Sequence, residues 1–129
     1  MLSKEISFNW SYIFLCIDFP HGISPRNEKV YPIWNTIAGQ NSTPASPGGG
    51  TGSYPSFEGP DNVFDGSPSN KFLSFGDHTV SSGRGLKTGF YFTNALGPQV
   101  LVAFRFATGN GGQGRVPLAV TIEGSNSET

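Results

Sequence analysis

The most regular pattern of apolar and polar positions lies in the second half of the chain. Along Gln99–Ala107 the residues alternate: Val100, Val102, Phe104 and Phe106 share one face of an extended segment, and Leu101, Ala103 and Arg105 share the other. Leu118–Glu123 repeats the alternation, with Leu118, Val120 and Ile122 inward and Thr121 and Glu123 outward. In Thr88–Thr93, Phe90 and Phe92 point one way and Gly89 and Tyr91 the other. Val30–Ile37 is a further strand candidate, and Pro32, which has no N–H to donate, places it at a sheet edge or strand start. Phe72–Phe75 is a short apolar run. Turn formers at Ser81-Ser82-Gly83, Gly97-Pro98 and Gly109-Asn110-Gly111-Gly112 separate these runs. Short strands spaced about ten residues apart by such turns predict an all-β fold, an antiparallel β-sandwich.

Two segments break the pattern. Gly39 to Pro60 is rich in Gly, Pro, Ser and Thr, a composition that buries almost nothing and reads as a flexible loop within a domain covering 30–129. Residues 1–29 contain an apolar stretch, 6–19, that is shorter than the roughly 20 residues of a membrane span. Glu5 cancels Lys4, Asn9 and Asp18 interrupt the apolar run, and no small-residue cleavage pattern follows. Three readings stand for this segment: a degenerate export signal, a strand of the domain, or sequence outside the mature protein.

Composition supports the strand pattern. The chain has 18 Gly, 10 Pro and 11 Phe with only 13% charged residues, poor material for helices and suited to short strands and tight turns. Eight basic and nine acidic residues give a formal net charge of −1, with no basic cluster to attract a phosphate backbone, so a nucleic-acid partner is not expected. Cys16 is the single cysteine and reads as a small, inert thiol. His21 and His78 are the only histidines, and no G-x-S-x-G, H-E-x-x-H or paired-cysteine pattern is present. The glycines at 109, 111, 112 and 114 lack the following helix and Lys-Ser/Thr of a phosphate loop. A non-enzymatic protein is the expectation. Asn9-Trp10-Ser11 and Asn41-Ser42-Thr43 are N-glycosylation sequons, which lend weak support to secretion.

At Asn62–Gly76 the segment NVFDGSPSNKFLSFG resembles the N-A-[IVF]-D-G-x-P-x-T-[KY]-[WF]-L stretch of discoidin-type, F5/8-type C and related galactose-binding-like domains. GFYFT, VLVAFRFATGN and GRVPLAVTIEGSN continue the resemblance in the same order, so that it spans Glu58 to Asn126. The resemblance implies a jelly-roll β-sandwich and an extracellular or cell-surface carbohydrate-binding module. It also implies a chain cut short, because the family's E-G-S-N motif lies mid-domain and further strands follow it. A structural calcium at the D-G-x-P-x-T turn is implied too. Carried over, Asp65 supplies a carboxylate, Ser67 and Asn70 supply oxygens, and backbone carbonyls near Asn62 complete the set. Asn70 stands where the family has Thr, Val116 stands where it has the Asp of Arg-Asp-Pro, and a C-terminal Glu ligand has no equivalent. The turn also reads as a plain β-turn in which Asp65 bonds its own backbone.

A carbohydrate or glycoprotein surface is thus the expected partner. Tyr54, Phe57 and Tyr91 are candidates for stacking on sugar faces, and Asp77, His78, Arg84, Asn110 and Arg115 for polar contacts. Each aromatic also reads as core or cover, and Arg115 as a solvated turn residue. The alternatives are a structural or adhesive spacer in a larger surface protein, and the accessory domain of a glycoside-active enzyme.

Overall fold

The computed structural model describes residues 3–8, 14–18, 28–67, 69–79, 85–94, 100–101, 103–107 and 119–125. It is mostly strand, and its main sheet is antiparallel. The strands are β1 (Ser3–Phe8), β2 (Phe14–Asp18), β3 (Val30–Trp34), β4 (Thr43–Pro44), β5 (Ser46–Pro47), β6 (Ser53–Tyr54), β7 (Thr88–Thr93), β8 (Ala103–Ala107) and β9 (Val120–Ser125). Two 3-10 turns, Ser56–Glu58 and Pro60–Val63, follow β6. The main sheet runs β4-β3-β7-β1-β9; β2 pairs with β8 in a second antiparallel pair, and β5 and β6 make a two-residue parallel pair.

The alternation in β7 sets the two faces of the main sheet. Phe90 and Phe92 are 0% and 1% exposed and form the centre of the core. Val30 lies opposite Phe92 on β3, and Val120 on β9 packs against the same cluster. Val63 and Phe64, from the end of the second 3-10 turn, and Phe72 close over this face. Phe64 meets Phe90 and Phe92 edge-to-face with ring centroids 5.9 and 5.0 Å apart, and Phe72 meets Phe90 at 6.2 Å. Edge-to-face contact aligns ring edges with negative ring faces and adds about 0.5–1.5 kcal/mol per pair beyond area burial. Ile122, expected inward, is on the core face by register but 38% exposed, because β9 ends the sheet order.

Pro32 sits within β3 rather than at its start, with β4 outside it. Its carbonyl accepts from Ala45 N–H at 2.9 Å. The N–H and C=O of one strand residue point the same way, so the missing donor falls on the β4 side and the ladder to β7 is untouched.

The Gly39–Pro60 stretch differs from the loop expected to bury almost nothing. Ser53 is 5% exposed, and Gly52 and Gly59 are buried. Its backbone is held by partners within and beyond the stretch: Ser46 N–H to Gly52 O, Gly48 N–H to Tyr54 O, Gly52 N–H to Gly76 O and Phe75 N–H to Ser53 O. Leu73 N–H donates to Glu58 O, so residues 52–58 run antiparallel beside 73–76. Within 1–29, Ser3–Phe8 lies between β7 and β9, and Phe14–Asp18 lies beside β8. No helix among the described residues is long and apolar enough to cross a membrane.

Candidate functional site

Residues 62–76 divide into a buried frame and a projecting turn. Val63, Phe64, Phe72 and Leu73 are buried, whereas Asp65, Gly66, Ser69 and Asn70 between them are exposed. Apolar residues on both sides thus anchor the turn to the core and push its polar middle outward. Gly66 has φ +75°, a left-handed conformation that glycine adopts without steric cost.

Asp65 organises the turn. Its Oδ1 accepts from Ser67 N–H at 2.8 Å, and its Oδ2 accepts from Asn70 Nδ2 at 2.7 Å. Ser67 Oγ accepts from Ser69 N–H, and Asn70 N–H donates to Ser67 O. Asn62 bridges two carbonyls. Its Nδ2 donates to Phe57 O at 3.2 Å and to Lys71 O at 2.8 Å, tying the first 3-10 turn to the segment that leaves the Asp65 turn. Lys71 Nζ and Glu58 Oε1 close the same junction at 3.1 Å.

As arranged, the side chains of this set are bonded to one another and to backbone. Calcium takes six to eight oxygen ligands. Here Asp65 is the one carboxylate of the proposed set, and each of its oxygens accepts a hydrogen bond from the turn. Asn62 and Asn70 present amide nitrogens, not oxygens, to their partners. Among the described residues no group of three or more His, Cys, Asp and Glu is placed to hold a metal.

The three aromatic candidates separate cleanly. Phe57 is 79% exposed, on the turn whose carbonyl Asn62 holds. Tyr54 is half-buried, edge-on to Phe72 at 6.2 Å, and packs against the core. Tyr91 is half-buried and stacks on Tyr31, its cross-strand partner, at 4.7 Å and 10°. Phe57 is the only exposed aromatic among the residues whose side chains are described.

Asp77 and His78 lie at the other end of the 52–58/73–76 ladder, beyond the Gly52–Gly76 bond. Asp77 Oδ1 accepts from Thr79 Oγ1 at 2.5 Å and Thr79 N–H at 3.0 Å, and these bonds, the hydroxyl first, hold its carboxyl below the ordinary carboxylate value. His78 N–H donates to Thr51 Oγ1, and its ring stands edge-on to Phe75. Asp77 thus engages Thr79, and His78 engages Thr51 and Phe75. Arg84, Asn110 and Arg115 lie outside the described residues.

The structure thus brings Phe57, Asn62, Asp65, Ser67 and Asn70 into one neighbourhood and sets Asp77 and His78 apart. Sequence reasoning missed the Glu58–Lys71 ion pair and the Asn62 bridge. The bridge leaves no periodic trace, because it joins two carbonyls across a turn. Comparison with family models, curated proteins and solved structures finds no match to this chain.

Proposed function

We propose that this chain is a non-enzymatic carbohydrate-binding module, a discoidin-like, galactose-binding-like β-sandwich that works outside the cell or at its surface. The observation that carries the reading is Phe57. Its ring is 79% exposed, on a backbone pinned by Asn62, and so is presented to solvent beside the polar Asp65 turn. A sugar ring presents an apolar face that stacks on such a platform, while neighbouring polar groups fix its hydroxyls. Asp65, Ser67 and Asn70 on the adjoining turn, together with Glu58 and Lys71, are the polar groups at hand. The antiparallel sheet, the aromatic core and the projecting Asp65–Asn70 turn support the family resemblance.

Calcium enters this reading only as a subordinate proposal. It requires Asn70 to reverse its amide, so that Oδ1 faces the ion, and Asp65 to exchange its turn hydrogen bonds for the metal.

A glycan array probed with the folded chain and with Phe57→Ala tests the reading. The expected result is binding by the parent chain and a loss of about tenfold or more on truncation, since a stacked aromatic anchor contributes upwards of about 1.4 kcal/mol. A folded parent that binds no glycan, or a truncated variant that binds as well, favours the structural spacer instead. One observation already leans that way: Tyr54 and Tyr91 are engaged in packing, which leaves a single exposed ring among the three candidates.

A further inference from the structure

The main sheet has a second face, opposite the aromatic core, and part of the chain crosses it. Tyr31 on β3 pairs with Tyr91 on β7, Tyr91 with Glu5 on β1, and Glu5 with Glu123 on β9. Directly paired residues share a face, so Glu123 and the tyrosine stack belong to the same side, together with Ile33 and Gly89. Ile33 is 1% exposed although it lies outside the core cluster, so this face too is covered at the Ile33–Gly89 end.

Residues 35–42 leave the end of β3 and return at β4. Thr36 N–H donates to Lys87 O at 3.0 Å, fixing the start of the excursion beside β7. Gln40 N–H donates to Ile37 O at 2.9 Å, so the tip is a closed turn, with Gly39 at φ +71°. The N–H of Gly39 then donates to both carboxylate oxygens of Glu123, at 2.9 and 3.0 Å. Glu123 stands at the opposite end of the sheet order from β3 and β4, 84 residues away in sequence.

We infer that residues 35–42 form a strap over the second sheet face, hinged near Thr36 and latched at Gly39 by the carboxylate of Glu123. The tip carries its own internal bond, so it lifts as a unit. A hydrogen bond to a charged acceptor is stronger than one to a neutral acceptor, which suits a latch made of one side chain and one amide. Opening frees the part of the second sheet face that residues 35–42 cross between Lys87 and Glu123.

Residue-resolved amide hydrogen exchange on the full chain tests the latch, comparing the parent with Glu123→Ala and Glu123→Gln. The expected result is exchange at Gly39 faster by on the order of 10-fold in Glu123→Ala and by less in Glu123→Gln, which keeps a neutral acceptor. Thr36 and the core amides of Phe90 and Phe92 keep the parent rates. Unchanged exchange at Gly39 in both variants overturns the latch. So does equal acceleration at Gly39, Phe90 and Phe92 in the milder Glu123→Gln variant, because Glu123 would then support the whole fold and not a strap.

Discussion

The indole of Trp34 lies so close over Gly52 that a β-carbon at position 52 would sit 2.4 Å from its ring. Gly52 also has φ +70°, a conformation costly for any residue with a β-carbon. Gly52→Ala is therefore expected to destabilise the protein by about 2 kcal/mol or more, from left-handed strain plus displacement of the indole. Denaturant unfolding measures it. A change under about 0.5 kcal/mol would show that Trp34 moves aside at little cost.

Asn62 separates two kinds of damage. Asn62→Ala removes the Nδ2 bonds to Phe57 O and Lys71 O and is expected to cost about 1–2 kcal/mol. Asn62→Asp sets a carboxylate against two carbonyl oxygens, so it is expected to cost more than alanine does. Thermal midpoints of the two variants check the order. If aspartate is the milder change, the bridge between the 3-10 turn and Lys71 is not made by the amide nitrogen.

The Asp77–Thr79 turn gives a pH dependence of known sign. The Thr79 hydroxyl, then the Thr79 N–H, lower the Asp77 carboxyl value against a small opposing desolvation. A carboxyl depressed in the folded state adds stability that is present above the unfolded value, about 3.9, and is lost as pH falls through the folded value. Thr79→Val should move the Asp77 titration up toward the ordinary value, as read by NMR of the side-chain carboxyl. An unmoved titration would assign the depression to some other donor.

The Asp65 turn makes a statement about calcium. Calcium has to displace the bonds that Ser67 and Asn70 make to both carboxylate oxygens, and thermal scans in calcium and in chelator show whether it does: an unchanged midpoint rules the ion out. A calcium-dependent rise would mean that the turn reopens, since an ion at 100 times its dissociation constant stabilises by about 2.7 kcal/mol. Asp65→Asn should then abolish the rise.

Much of the strand framework was legible in the residues. Phe90 and Phe92 alternate with Gly89 and Tyr91, and that alternation alone separates the two faces of β7. The Gly/Pro-rich stretch was not legible, because Gly52 and Ser53 are buried through backbone bonds to Gly76 and Phe75, and a hydrogen-bonding backbone has no side-chain signature. The aromatic candidates show a second limit. Tyr54, Phe57 and Tyr91 look alike in a one-dimensional pattern, and only contact with Phe72 and Tyr31 tells two of them from the third.

The position of β1 has a consequence for how the sheet assembles. Among the described strands, β9 pairs only with β1, which in turn pairs with β7. Val120–Ser125 therefore has no template until Ser3–Phe8 has docked, and that closure spans most of the chain. Contacts of such sequence separation form late and slowly, because loop entropy is lost before the ladder compensates it. A protease that removed Ser3–Phe8 from the folded protein would also detach Val120–Ser125, and with it Glu123, so one cut near the N-terminus would undo an edge built from the other end of the chain.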